Sequence, residues 1–359
     1  MSAPRVLALA GSPRDMGLAH GHACRDLIRK YTDERVALAG SAVWTGHAMS
    51  RDAVLALAEA CIPAHTAYSP ELMDEIGGIA EACGLSLAEL IITNGFTDFI
   101  DLVYARGNGD AATAQAEDDC TAFIVPDALS ADGKGFFGQT WDMHASSAPY
   151  VVLIDGRPAD GPAFMAFSLT GCVGMIGMND AGIAIGINNL LGAGGQIGVT
   201  WPLVVRKALQ QTDIEAALRC ITGAELVGAH NFQLFDRLGT GINIEAMPGH
   251  CHVTRSSGEA LLHSNHCLDP RTLALCRPRS AASQASSEAR LAQGRRLLAG
   301  GGLTAEVLMA LTRDQVICVR AEPPLDMETC GAAIMQPATG RFWAVQGLPT
   351  QSEYARFSL

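Results

Sequence analysis

The residues best suited to covalent chemistry gather in one short stretch, Ala116-Glu117-Asp118-Asp119-Cys120-Thr121-Ala122-Phe123. An acidic run ends at Cys120, and an apolar, strand-like run to Pro126 follows at once. A cysteine nucleophile needs a base, an orienting group and donors for the developing oxyanion. The base can be a histidine from elsewhere in the fold. It can also be the nucleophile's own α-amine, whose ordinary pKa of about 7.7–8.0 leaves a sizeable neutral fraction near pH 7. The second solution requires Cys120 to become N-terminal by cleavage of the Asp119–Cys120 bond. The chain has eleven cysteines, an odd number, widely scattered. That usage reads as small buried hydrophobes with one nucleophile among them, not as a disulfide framework.

Two other chemistries are weighed. His250, Cys251 and His252 lie near His263, His266 and Cys267 in sequence, and these are zinc-ligand types. No CxxC or HExxH accompanies them, and neighbouring residues on a strand point to opposite faces. No metal site is therefore expected, and a zinc-binding protein is kept as an alternative. Gly11-Ser12-Pro13-Arg14-Asp15-Met16-Gly17 lacks both the dinucleotide-binding glycine spacing and the P-loop lysine, so it reads as a turn into a helix.

The elements that would hold Cys120 come in blocks. Helical spacing marks 14–30, 51–66 and 70–83, the last with Pro70 near its start and Gly84 after its end. Ser86 and Glu89 form a capping box for the next helix. Residues 107–118 are small, polar and acidic, and predict an exposed loop. Strands follow from 121 to 170, then a hairpin turning at Asn179–Gly182. Helices are predicted at 201–211 and 213–223, strands at 231–246, 251–254 and around 261–266, and helices at 286–299 and 303–313. The polar stretch 277–287 reads as a surface loop, and a last hairpin turns at Pro337–Gly340. Strands and helices in blocks, not in alternation, predict an α+β fold with largely antiparallel sheets and a two-sheet core covered on both outer faces.

Composition narrows the function. The chain is 48% hydrophobic and 17% charged, so it can bury a large core. A net charge of −12 argues against nucleic-acid or anionic-membrane partners, which need a basic face. The first apolar run is about five residues, far short of a signal sequence, and no stretch approaches the roughly 20 residues of a membrane span. A cytoplasmic enzyme with a small-molecule substrate and no cofactor is expected.

Asp119-Cys120-Thr121-Ala122-Phe123 followed by Gly138-Gln139-Thr140-Trp141-Asp142 resembles the acyl-coenzyme A:6-aminopenicillanic acid acyltransferase family of N-terminal nucleophile hydrolases. So, in order, do Gly17–Gly21, Glu75–Gly84, Gly174–Asn188, Gly198–Arg206, His263-Ser264-Asn265-His266-Cys267 and Gly347-Leu348-Pro349. The resemblance spans nearly the whole chain. It implies a four-layer αββα sandwich, with residues 1–119 as a helical N-terminal region that becomes the α chain on self-cleavage. Residues 120–359 would be the catalytic core and β chain, the two chains of one precursor being each other's partners. It implies Cys120 as nucleophile, Asp142 as the aspartate that helps hold it, and Asn265 as an oxyanion donor. Trp141, Asn188 and His263 are implied substrate contacts.

Two positions depart from the family's penicillin enzyme. Asp119 replaces a glycine before the nucleophile. Asp326, with Glu328 and Thr329 beside it, stands where that enzyme has an arginine. Acidic residues there suit an ammonium group better than a carboxylate. The expected function is a self-processing amidohydrolase of small linear N-acyl compounds. An acyltransferase using the same acyl-enzyme, with coenzyme A as one conceivable donor, is the alternative within the class; a zinc-binding or non-catalytic binding protein is the alternative outside it.

Overall fold

A computed structural model of the chain describes residues 3–107, 120–322 and 326–359. It opens with strand β1 (Arg5–Gly11) and six helices: α1 (Pro13–Ala39), α2 (Ala42–Thr45), α3 (Arg51–Tyr68), α4 (Pro70–Cys83), α5 (Leu87–Thr93) and α6 (Phe96–Arg106). Strands β2 (Thr121–Val125), β3 (Phe136–His144), β4 (Val151–Pro158), β5 (Phe164–Leu169), β6 (Ile176–Asn179) and β7 (Ile183–Asn189) come next. Helices α7 (Trp201–Ala208) and α8 (Ile214–Thr222) precede β8 (His230–Asp236), β9 (Gly241–Met247), β10 (His250–Arg255) and β11 (Leu261–His263). Helices α9 (Pro270–Leu273), α10 (Ala281–Leu297) and α11 (Ala305–Thr312) and strands β12 (Met327–Gln336), β13 (Arg341–Gln346) and β14 (Ala355–Ser358) complete the chain.

The strands form two sheets, ordered β1-β4-β5-β6-β7-β8-β9-β10 and β11-β2-β3-β12-β13-β14. Every named pairing is antiparallel except β1 with β4. Inward residues such as Ile124, Phe137 and Trp141 share one core with Phe167, Ile185 and Phe232 of the facing sheet. On the outer face of the smaller sheet, Phe123, Val125 and Phe136 pack against Leu291, Leu308 and Leu311 of α10 and α11. Helices α1, α7 and α8 cover the larger sheet. Alternating side chains thus give each strand two buried faces, and the layering is αββα.

Several expectations hold because they rest on local chemistry. The turn expected at residues 11–17 leads into α1, where the structure adds a Ser12–Asp15 capping box, and the capping box expected at Ser86 and Glu89 caps α5. The α4 boundaries match, with Gly84 in the left-handed region at its end. The Asn179–Gly182 turn is held by the Asn179 side chain, which accepts from Ile183 N. The glycine-rich N-terminal motifs are packing devices. A Cβ on Gly17 would overlap the Glu75 carbonyl, and one on Gly78 would meet the Arg14 carbonyl at 2.5 Å, so α1 and α4 cross with their backbones in near contact.

Three expectations change. The N-terminal region is not wholly helical, because Arg5–Gly11 adds a parallel edge strand to β4. Residues 281–287 are not loop but the start of α10, capped by the Ser280 side chain, with Ser283 and Ser287 buried. The expected loop at 107–118 lies, apart from Gly107, outside the described residues. No single helix among the described residues is long and apolar enough to cross a membrane.

Burial also dictates how the fold responds to acid. It lowers the pKa of His20 and His65 to about 4, and of His144 and His230 to about 3. Nearby guanidinium groups add to this at His20 (Arg5) and His144 (Arg35). These rings are neutral in the fold but take up a proton near pH 6.5 when unfolded. The unfolded chain then binds more protons, so stability is fully present above about pH 6.5 and falls towards about pH 3–4. Burial raises the carboxyls of Glu75 and Asp98, which act in the opposite sense, but the four rings outnumber them, so urea midpoints should decline from pH 6.5 to 4. A flat profile across that window would contradict this account.

Candidate active site

Cys120 lies at the head of β2, which is hydrogen-bonded to β11 on one side and β3 on the other. Its side chain is 3% exposed. The Asp142 amide donates to Sγ at 3.3 Å, and the thiol faces the Asp142 carbonyl at 3.7 Å. The Cys120 carbonyl accepts from Asn188 Nδ2 at 3.0 Å and from Arg290 Nη1 at 2.7 Å. One residue on, the Thr121 amide donates to Thr140 Oγ1 at 3.1 Å.

Arg290 is fully buried on α10 and joins the site's parts. It also donates to Thr121 Oγ1 at 3.1 Å and, through Nη2, to Asn265 Oδ1 at 3.0 Å. A guanidinium can only donate, so this contact fixes which end of the Asn265 amide is oxygen. The Asn265 NH2 then faces the other way and donates to the Asn189 carbonyl at 3.1 Å. An amide nitrogen carries two hydrogens, so a second N–H remains for another acceptor. The Asn265 backbone is pinned too: its N–H donates to Ser287 Oγ at 2.9 Å, and its carbonyl accepts from Arg279 at 2.8 Å.

The surrounding elements hold β7 in place. Gln139 on β3 crosses to the other sheet, accepting from Ile187 N at 3.0 Å and donating to the Ile187 carbonyl. Gly186 leaves room for this, since a Cβ there would strike Gln139 and Phe137. Beyond β7, Asp101 on α6 accepts from Gly192 N and Ala229 N, both at 3.0 Å. Asp98 accepts from Trp201 N and Gly228 N, both at 3.1 Å. Asn188 and Asn189 are thus presented from a braced strand end.

Burial makes most of the other cysteines poor nucleophiles. Burial pushes the Cys172 thiol up to about 12 and Cys83 up to about 11. It also raises Cys24, Cys61, Cys220, Cys251, Cys318 and Cys330, and at Cys267 the contact with Cys276 and burial together raise the thiol. The Asp142 carboxylate adds to burial at Cys318 and Cys330. A raised pKa keeps a thiol protonated and unreactive near neutrality.

The Asp142 backbone and the Asn188 side chain therefore contact Cys120 directly, and Asn265 is joined to it through Arg290. Asp119 lies outside the described residues. The other expected contacts take different work. His263 is fully buried, with Nε2 at 2.9 Å from Glu245 Oε1 and Nδ1 at 2.8 Å from the Ser264 carbonyl, so it pins β11 to β9 instead of meeting substrate. Burial pushes Glu245 up, but hydrogen bonds from His263, Thr272 and Leu268 outweigh it and hold the carboxyl at about 2. Trp141 is in the inter-sheet core, edge-on to Phe167 with centroids 6.4 Å apart. The Thr329 hydroxyl accepts from Val319 N at 3.0 Å, which makes it a tie between segments. Asp326 has a left-handed φ of 49°, and its carbonyl accepts from Ala145 N at 2.8 Å. Glu328 stands opposite Met143 on β3, and burial raises its carboxyl.

The His/Cys-rich segment does not converge. His252 bonds Arg271 and Thr254, His266 bonds Ser264 and Ser287, and Cys267 faces Cys276. Among the described residues, no group of three or more His, Cys, Asp or Glu could hold a metal ion.

Arg290 was not legible beforehand, yet its loss should be costly. Arg290→Met would strip a donor from the Cys120 carbonyl and leave Asn265 Oδ1 and Thr121 Oγ1 unserved in a dry interior. We expect destabilisation of about 2–4 kcal/mol, with only partial rescue by Arg290→Lys, whose ammonium cannot span the same acceptors. Urea unfolding checks this; a loss under about 0.5 kcal/mol would place Arg290 among ordinary surface substitutions.

Comparison with known proteins gives three findings. The family described as acyl-coenzyme A:6-aminopenicillanic acid acyl-transferase matches residues 129–308, a span that includes Asp142, Asn188, Asn265 and Arg290 and begins after Cys120. The 40 kDa form of acyl-coenzyme A:6-aminopenicillanic-acid-acyltransferase from Emericella nidulans is 24% identical over 260 residues, covering 72% of this chain and 68% of that protein. Among solved structures, a variant of conjugated bile acid hydrolase from Clostridium perfringens superposes with a TM-score of 0.46 at 11% identity, over 67% of this chain and 97% of that one. Penicillin V acylase from Agrobacterium tumefaciens gives 0.38 at 10% identity, over 68% and 80%.

Proposed function

The chain belongs to the acyl-coenzyme A:6-aminopenicillanic acid acyl-transferase family, and on that premise we propose that it is a self-processing enzyme whose N-terminal cysteine cleaves linear amides of small N-acyl compounds. The observation that carries this reading is the placement of Cys120. Its carbonyl is clamped by Asn188 and Arg290, its sulfur lies against the Asp142 backbone, and the same Arg290 orients Asn265.

Self-processing starts when Cys120 Sγ attacks the Asp119 carbonyl, moving the acyl group from nitrogen to sulfur. That shift breaks the peptide C–N bond and frees the Cys120 α-amine; water then hydrolyses the thioester, releasing a chain that ends at Asp119 and restoring the thiol. In turnover that amine takes the proton from Sγ, and the thiolate adds to the substrate carbonyl. The free N–H of Asn265 donates to the oxyanion. Collapse expels the substrate amine, which leaves with the proton held by the α-ammonium, and a thioester remains. Water attacks the thioester, with the α-amine accepting its proton, and the acid departs.

A second reading replaces that water with an amine or thiol acceptor. The acyltransferase relatives favour it, and the same acyl-enzyme serves both. A panel of N-acyl amines, assayed with and without added acceptor amines and acyl-coenzyme A, tests both readings. Product acid without acceptor supports the hydrolase; acyl transfer only with acceptor supports the transferase. No turnover by the processed protein of any amide or thioester would overturn both.

A further inference from the structure

A pair of thiols lies close to Asn265. Cys267 follows it by two residues, and Cys276 closes the turn after α9. Their sulfurs are 3.3 Å apart. Both line a cavity of about 360 Å³ whose wall includes Asn265, Leu273, Arg277 and Arg279. Cys276 Sγ also reaches the Thr272 carbonyl at 3.5 Å, as Cys83 reaches that of Gly21, Cys172 that of Gly174, and Cys330 those of Met143 and His144; what marks this pair is a second sulfur within contact distance. Cys276 is only partly buried, so a small oxidant can reach the pair.

We propose that Cys267 and Cys276 are a modification site, a reversible dithiol–disulfide pair in the wall of the cavity beside Asn265. A disulfide needs the sulfurs about 2.05 Å apart, so they must approach by only roughly 1.2 Å, within reach of small side-chain rotations. With a hydroperoxide as oxidant, the partly exposed Cys276 attacks the peroxide oxygen as thiolate, giving a sulfenic acid and an alcohol (water from hydrogen peroxide). The second sulfur displaces that hydroxyl as water. Two thiols lose two electrons and two protons, and one peroxide bond is reduced.

The bond has a mechanical consequence. The Cys276 backbone bridges to Gly192, and Arg277 N donates to the Leu191 carbonyl at 2.9 Å. The cross-link would therefore tie the Leu191–Gly192 wall to the segment carrying Asn265, and remove the cavity's freedom to widen. This effect on turnover rests on the role proposed for Asn265; formation of the bond does not.

The test uses full-length Cys120→Ala protein, so that the proposed nucleophile cannot react. It is treated with hydrogen peroxide, alkylated and digested without reductant. A peptide joining Cys267 to Cys276, lighter by two hydrogens and separated by dithiothreitol, is expected. Independent alkylation of both thiols, or pairing of either with a different cysteine, overturns the proposal. Wild type and Cys276→Ser are then assayed in glutathione buffers of graded potential. Wild-type activity should fall several-fold in step with the disulfide fraction, while Cys276→Ser stays at its own reduced level throughout. If both lose activity alike, oxidation acts at Cys120 and the regulatory role is wrong. If no substrate is turned over, the proposed function fails while the peptide result still decides the disulfide.

Discussion

Cys120→Ala is expected to be isolated as one intact chain with turnover lowered by roughly 10⁴–10⁶-fold, the scale on which removal of a covalent nucleophile acts. Both effects have one cause. In the proposed mechanism the sulfur is the attacking atom in self-processing and in turnover, and an alanine methyl can do neither. The fold should survive. The substitution removes one buried sulfur and a long contact from the Asp142 amide, while the Cys120 carbonyl keeps its bonds to Asn188 and Arg290. A stability loss of about 1–2 kcal/mol is expected, so circular dichroism separates a dead enzyme from an unfolded one. Cys120→Ser sharpens the test. Its hydroxyl is a far weaker nucleophile at neutral pH, so it should process slowly if at all. Retention of near-wild-type turnover by a folded Cys120→Ala protein would remove Cys120 from the mechanism.

Asn265→Ala should lower kcat by about 10²–10³-fold, equivalent to about 2.7–4 kcal/mol of lost transition-state stabilisation. The oxyanion is fully developed only on the way to the tetrahedral species, so kcat and kcat/KM should fall together. A rise in KM alone would instead make Asn265 a ground-state contact. Asn265→Asp is the informative partner variant, because it keeps the acceptor for Arg290 Nη2 but offers no amide N–H. If Asn265 acts as donor, Asp should be as poor as Ala in kcat although the buried guanidinium keeps a partner; its stability should not exceed that of wild type, because a carboxylate oxygen would face the Asn189 carbonyl.

What could be foreseen was what local chemistry dictates. A Ser with Glu three residues on predicts a capped helix, and Asn179–Gly182 predicts a hairpin turn, whatever the rest of the chain does. Cys120 at a change of composition pointed to the head of β2. The misses are long-range. β1 finds its parallel partner about 150 residues away, so a short apolar run did not announce a strand. The run Ser280–Ser287 has no apolar periodicity because the inner side of α10 is polar: Ser283, Ser287 and Arg290 are buried in hydrogen bonds. That polar face hid Arg290, which joins the Cys120 carbonyl to the candidate oxyanion donor. His263 misled for the opposite reason. Its nearness to Asn265 in sequence suggested a substrate contact, while strand alternation sends its ring to Glu245 on the other sheet.

The central claim is that the chain cuts itself before Cys120, and intact-mass measurement of purified wild-type protein tests it most directly. The account predicts two species whose masses correspond to residues 1–119 and 120–359, with the intact 37.6 kDa chain persisting in Cys120→Ala. An undivided wild-type chain that nonetheless hydrolyses amides would contradict it, because Cys120 would then have no free α-amine to act as its base.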